Sequence, residues 1–176
     1  MIAGNKPWRQ LFWFCFGLFA GTAFCMKWME GDLWQGGEKF TIIGLEASYS
    51  KEKLARILSG LDEPVKRILR YHLSFDFAFM AGVYPGIAAL CMMARAKIKM
   101  PGMRKFLLAL AFGQTIAWGC DIIENGFLFQ WIKEPLVTHH DFKMYHLAVY
   151  IKWAIALIGA LLGILFHFRG KETIRH

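Results

Sequence analysis

Four apolar runs dominate this chain: Trp8–Met29, Tyr71–Ala94, Phe106–Phe129 and Tyr145–Phe168. Each approaches the ~20 residues that cross a ~30 Å hydrocarbon core at 1.5 Å per residue. A backbone in lipid must satisfy its own hydrogen bonds, so the pattern predicts four transmembrane helices. The expected fold is all-α, an integral membrane bundle forming a single four-helix transmembrane domain over residues 1–176.

The segments between the runs are short, apart from residues 31–70. There Ser50 is an expected N-cap, and Leu54, Ile57, Leu58 and Leu61 follow at i, i+3, i+4 and i+7. That spacing predicts an amphipathic helix ending near Gly60, suited to the bilayer surface or to the mouth of the bundle. Asp62, Glu63 and Pro64 restart a helix that continues into the second span. Phe40–Ala47 is mostly apolar and reads as a short extended piece or a lid. Tyr84-Pro85-Gly86 predicts a kink in the second span, freeing the carbonyl of Ala81.

Composition agrees with this class: 176 residues are 56% hydrophobic and 16% aromatic, and the mean hydropathy is +0.35. The formal net charge of +8 (pI about 9.5) could indicate a nucleic-acid partner, but its distribution argues against one. Arg95, Lys97, Lys99, Arg104 and Lys105 crowd one short loop; Lys6 and Arg9 precede the first span, and Arg169, Lys171 and Arg175 follow the last. Glu30–Arg70 instead balances seven acidic against seven basic residues. The positive-inside rule then places both termini in the cytoplasm and residues 31–70 outside, as expected of a multi-pass protein of a bacterial inner membrane.

The first run has basic residues before a short apolar stretch, as a signal peptide does. Its Phe and Trp content, and the lack of an Ala-x-Ala site, predict that it is retained. Cys15, Cys25, Cys91 and Cys120 all fall within spans without a CxxC pair and are expected to be small apolar packers. Cys25 and Cys120 lie close enough in depth to leave a disulfide open. Gly17 and Gly21, with Gly159 and Gly163, form GxxxG pairs that could join helices within the chain or across a homodimer.

Candidate chemistry lies in the polar residues that interrupt the spans. Asp76, Asp121, Glu124 and Lys152 reach nearly the same depth once the helices are threaded through a bilayer. His72 and Asp76 share a face at i and i+4; Asp121, Glu124 and Asn125 share another, with Gln114 two turns away. Lys152 shares a stripe with Tyr145, Ala156, Gly159 and Gly163, which turns it toward neighbouring helices. Lys27 and Glu30 end the first span at a similar height. Each charge at a helix centre costs ~2.5–3.5 kcal/mol, and one lysine does not neutralise three carboxylates. That imbalance favours a functional site over a structural ion pair.

Asp121, Glu124 and Lys152 are the candidates for acid–base chemistry, and Asp76, Asn125, Glu46 and His146 for substrate binding. A divalent metal held by Asp76, Asp121, Glu124 and His72 is a variant of the same idea. His139 and His140 are expected to be solvated in a loop, and Trp118, Trp131 and Trp153 to be packing or interfacial residues. The sequence contains no HExxH, P-loop, GxSxG or dinucleotide fingerprint.

His72-Leu-Ser-Phe-Asp76-Phe-Ala-Phe-Met80, Asp121-Ile-Ile-Glu124-Asn125, a lysine early in the last span and Ile43-Gly-Leu-Glu46-Ala-Ser together resemble a functionally unassigned group of small bacterial four-helix membrane proteins. The resemblance implies topology, and one constellation of Glu46, Asp76, Asp121, Glu124, Asn125 and Lys152; it transfers no reaction. Three readings follow. In the favoured one, an outer-leaflet site binds or acts on a lipid-like or amphiphilic molecule, by acid–base or metal-assisted chemistry, in a closed cavity under the loop. In the second, the carboxylates couple proton or cation transport in an oligomer, with polar contacts continuing to the cytoplasmic side. In the third, the chain is an accessory or assembly subunit whose charges pair off completely and leave no cavity.

Overall fold

The structure is a computed structural model that describes residues 5–169; Lys171 and Arg175 lie outside the described residues. Its long helices are α1 (Lys6–Met29), α3 (Glu63–Arg95), α4 (Pro101–Lys133) and α5 (His139–Arg169), with a short α2 (Lys51–Ser59) between the first two. All four long helices are long and apolar enough to cross a membrane. The chain is therefore an all-α multi-pass membrane protein built on a four-helix bundle. Large side chains such as Phe14, Phe24, Trp28, Phe112 and Leu161 are exposed, as a lipid-facing surface allows.

The helices outrun the apolar stretches because local capping extends them. Asp62 accepts the Val65 N–H at 3.0 Å, which opens α3 eight residues before Tyr71, and Pro64 occupies its first turn. Thr138 accepts the Asp141 N–H at 3.1 Å and donates to the Asp141 carboxylate at 2.7 Å. This cap starts α5 early enough to draw His139 and His140 into its first turn, where they are helical and exposed rather than in a loop. Ser50 caps α2 through Lys53 N–H at 3.3 Å, as its position predicts. Helix α3 continues through Pro85 without interruption. At 33 residues each, α3 and α4 span about 50 Å, well beyond a ~30 Å hydrocarbon core.

Residues 33–61 clothe the projecting ends. A two-residue turn at Gly36 (φ 58°) and Gly37 (φ 83°) closes a hairpin of β1 (Trp34–Gln35) and β2 (Glu38–Lys39), paired Trp34 with Lys39. Both turn positions need positive φ, which glycine supplies without a Cβ penalty. Beyond it, Gly44–Ser48 forms one wide π-helical turn. Leu33, Phe40, Ile42, Leu45, Leu54 and Leu58 are buried, continuous with Leu69, Leu73, Leu128, Trp131 and Tyr145 from the long helices. The amphipathic helix thus covers the bundle mouth and does not lie on the bilayer, because its apolar face finds a protein partner.

Helices α3, α4 and α5 pack on one another, whereas α1 packs mainly on α3. The α1–α3 approach is closest at Gly82, where a Cβ would lie 2.7 Å from the Phe19 nitrogen and 2.9 Å from the Cys15 carbonyl oxygen. Gly159 and Gly163 are used inside the chain: their added Cβ atoms would meet the Gln114 amide at 2.6 Å and Leu90 at 2.9 Å. Around Gly17 and Gly21 there is open space. Cys15, Cys25, Cys91 and Cys120 are all free thiols, so Cys25 and Cys120 form no disulfide.

Candidate functional site

Asp76, Asp121 and Lys152 lie 13, 12 and 13 residues from the loop-side ends of α3, α4 and α5. At ~1.5 Å per residue that is one level, ~18–20 Å below those ends. The residues do meet. Lys152 Nζ donates to Asp121 Oδ1 at 2.7 Å, lies 2.6 Å from Glu124 Oε2, and is 3.5 Å from Glu46 Oε2. The lysine is only 6% exposed, and Glu124 is fully buried. Tyr84 donates to the second Asp121 oxygen at 2.6 Å, so both Asp121 oxygens are engaged.

Asp76 stands beside this knot. Asn125 donates to its Oδ2 at 2.6 Å, joining α3 to α4. The π-helical turn brings in Glu46, whose Oε2 also accepts the Trp153 indole N–H at 3.2 Å. Tyr145 ties the same turn down by donating to the Leu45 carbonyl at 3.0 Å. Burial pushes the Glu46 carboxyl above the usual carboxylate range; the Lys152 ammonium opposes that shift, and Asp121 adds to it. Three carboxylates therefore surround one ammonium, with Asp76 beside them.

A cavity of about 240 Å³ opens beside them. α1 contributes Ala23 and Met26, and Glu30 follows just beyond its end; α3 contributes His72, Asp76 and Phe79. Asp121, Lys152, Trp153 and Ala156 form the opposite side, and Ile42, Ile43 and Glu46 form the roof. The expected closed chamber is instead a cleft: its rim includes the exposed side chains Ile43 and Trp153. The cleft exists because α1 leans on α3 and leaves the space toward α5 unfilled.

Not every sequence candidate reaches the cleft. Glu124 and Asn125 lie behind its wall and act on it through Lys152 and Asp76. His146 is absent from the lining; its ring packs on Phe142 at 4.3 Å, and its Nε2 is buried without a hydrogen-bond partner. His72 does line the cleft, 2% exposed, yet among the described residues its Nδ1 is buried without a hydrogen-bond partner. Among the described residues, no group of three or more His, Cys, Asp or Glu side chains converges as metal ligands. Lys152 Nζ occupies the position a cation shared by Asp121 and Glu124 would take, so Asp76, Asp121, Glu124 and His72 do not assemble the expected metal site.

Sequence reasoning missed Tyr84 and Trp153 as partners of the carboxylates. Tyr84 has a legible signal, since it follows Asp76 by two helical turns on the same face. Trp153 has none, because its partner comes from a loop. On the far side of the layer, Gln114 donates to the Leu110 and Ile155 carbonyls at 3.2 and 3.3 Å, leaving its Oε1 buried and unpartnered. Beyond Gln114 the interior closes with Cys91, Ala94 and Leu107.

This arrangement defines a four-helix membrane bundle with a roofed, carboxylate-rich cleft. Comparison with protein-family models, with curated proteins and with solved structures finds no match to this chain.

Proposed function

We propose that the protein binds, and has the groups to act on, a lipid-like or amphiphilic molecule that enters the cleft sideways between α1 and α5. The observation that carries this reading is the cleft itself, which joins a polar end at Asp76, Asp121 and Lys152 to apolar walls at Met26, Phe79 and Ala156. Its volume is below the ~300–1,000 Å³ that encloses a whole drug-sized ligand. It suits a headgroup and the first part of a chain, with the remainder of the molecule in the bilayer.

The basic residues of the α3–α4 connection and of the N-terminal end support a cytoplasmic placement of the loop-distal face in a bacterial inner membrane. The carboxylate layer then lies within the outer leaflet. Asp76 and Glu46 are the cleft-facing acids placed to exchange a proton with a bound headgroup, while Lys152 and Tyr84 hold Asp121 in place. The transport reading gains no support from the apolar interior beyond Gln114, and the accessory reading none from a layer that keeps both a cleft and surplus acid.

Native mass spectrometry of protein released from lipid nanodiscs tests the reading, with Ala156→Trp as the cleft-filling variant. The wild type is expected to carry an amphiphile that the variant, unchanged in thermal stability, has lost. Equal retention by both proteins refutes the cleft as the binding site.

A further inference from the structure

Within the amphiphile reading, on which this inference rests, the cleft also specifies the headgroup. The wall offers hydrogen-bond acceptors in excess and almost no free donors. Lys152 donates to Asp121 at 2.7 Å and shares its charge with Glu124 at 2.6 Å and Glu46 at 3.5 Å, so three carboxylates already outweigh the one ammonium. Lys27, the other cation on the lining, pairs with Glu30 at 2.5 Å, and its side chain is 79% exposed. The Tyr84 hydroxyl proton is committed to Asp121, the Asn125 amide to Asp76 and the Trp153 indole to Glu46. Among the described residues, no arginine lines the cleft.

The acceptors are less fully used. Asp76 receives its hydrogen bond on Oδ2, and Glu46 and Glu30 receive theirs on Oε2, which leaves one oxygen of each without a bond among the described residues. His72 supplies an independent sign. It is buried on the cleft wall and none of the hydrogen bonds or ion pairs of the described residues involves it, although buried imidazoles ordinarily find partners. A group that satisfies such a wall must bring its own N–H donors and positive charge.

We infer that the cleft takes the primary ammonium headgroup of an amphiphile, seated between Asp76 and Glu46 with His72 as a further acceptor. A phosphate or carboxylate head seated between Asp76 and Glu46 would meet carboxylate oxygens, with Lys152 already outnumbered by acids and Lys27 held out on an exposed side chain beside Glu30, an arrangement that like-charge repulsion opposes. An alcohol supplies one donor where the wall has several open acceptors. An ammonium supplies three donors and offsets part of the surplus negative charge.

The test is competition in phosphatidylcholine nanodiscs. A dodecyl chain brominated near its head quenches cleft tryptophan fluorescence, with Trp153→Phe identifying the Trp153 component. Unlabelled dodecylammonium, dodecanol, dodecyl phosphate and propylammonium then compete. Dodecylammonium is expected to displace the probe at a tenfold lower concentration than the alcohol or the phosphate. Asp76→Asn should reduce that preference about tenfold and leave the alcohol unchanged; Glu30→Gln should erode it less, and replaces the Asp76 variant if that one fails to fold.

If dodecanol or dodecyl phosphate competes as well as the ammonium, the headgroup assignment is overturned and the amphiphile cleft stands. Propylammonium matching dodecylammonium keeps the ammonium site but refutes the amphiphile reading. Failure of every compound to compete, with the probe quenching equally in Ala156→Phe, which fills the cleft without adding a tryptophan, overturns both.

Discussion

Replacing Lys152 with methionine keeps the length of the side chain and removes the ammonium. Three carboxylates lose their counter-charge, at 2.6 Å (Glu124), 2.7 Å (Asp121) and 3.5 Å (Glu46). At an effective dielectric constant of about 20, the gross attractions are about 6, 6 and 5 kcal/mol. Desolvation of the lysine and repulsion among the acids offset most of that sum. Breaking a buried pair by removing one partner costs about 3–5 kcal/mol, because the stranded charge stays buried. Glu124 is fully buried and holds the effect up, while Asp121 and Glu46 border the cleft and hold it toward the lower end.

For a chain of this size, about 3 kcal/mol corresponds to a fall in Tm of about 6–12 °C. The assay is thermal unfolding in dodecyl maltoside at pH 7.5, followed by intrinsic fluorescence, with Lys143→Met on the exposed face of α5 as the control. Adding Glu124→Gln to Lys152→Met should recover part of the loss, since removing both partners is less costly than removing one. A Lys152→Met protein that unfolds within about 2 °C of wild type at pH 7.5 would refute the reasoning, because the measured cost would then be that of an exposed pair.

Two other outcomes separate interior packing from open surface and buried acid from exposed acid. Gly82→Ala forces a Cβ against the α1 backbone and should cost about 1–3 kcal/mol by overpacking, whereas Gly21→Ala, with open space around it, should leave Tm unchanged; equal effects in the same unfolding assay would contradict the crossing point. Glu46 is held above its ordinary value of 4.5 chiefly by burial, so the folded state binds its proton more tightly than the unfolded chain does. Its contribution to stability is therefore present at low pH and lost as pH rises from 4.5 through the raised value, and Glu46→Gln should flatten that part of the stability–pH curve; an unaltered slope would show that Glu46 is not the titrating group.

The four membrane helices were legible in the sequence because a bilayer imposes one requirement on every crossing segment, about 20 apolar residues, and that requirement is local. The shared level of Asp76, Asp121, Glu124 and Lys152 followed from counting along the helices, and the inward turn of Lys152 from its stripe of small residues. Ser50 and the apolar face of α2 were readable for the same reason. The Gly36-Gly37 hairpin went unread in the sequence, because two-residue strands carry no alternating apolar pattern to mark them.

What lay beyond the sequence depends on residues far apart in the chain. The placement of α1 follows from the contact between Gly82 and the Cys15–Phe19 backbone, a pairing that no periodicity encodes. The partnership of Trp153 with Glu46 needs a loop to fold over a helix 107 residues away, and that of Tyr84 with Asp121 needs a particular α3–α4 register. His146 and His72 look alike as helical histidines near one end of the bundle, yet only His72 reaches the cleft. Helix periodicity assigns each side chain to a face. Which faces meet, and where they leave a gap, is decided by the packing of the whole bundle, because close packing depends on the shapes of all the neighbours at once.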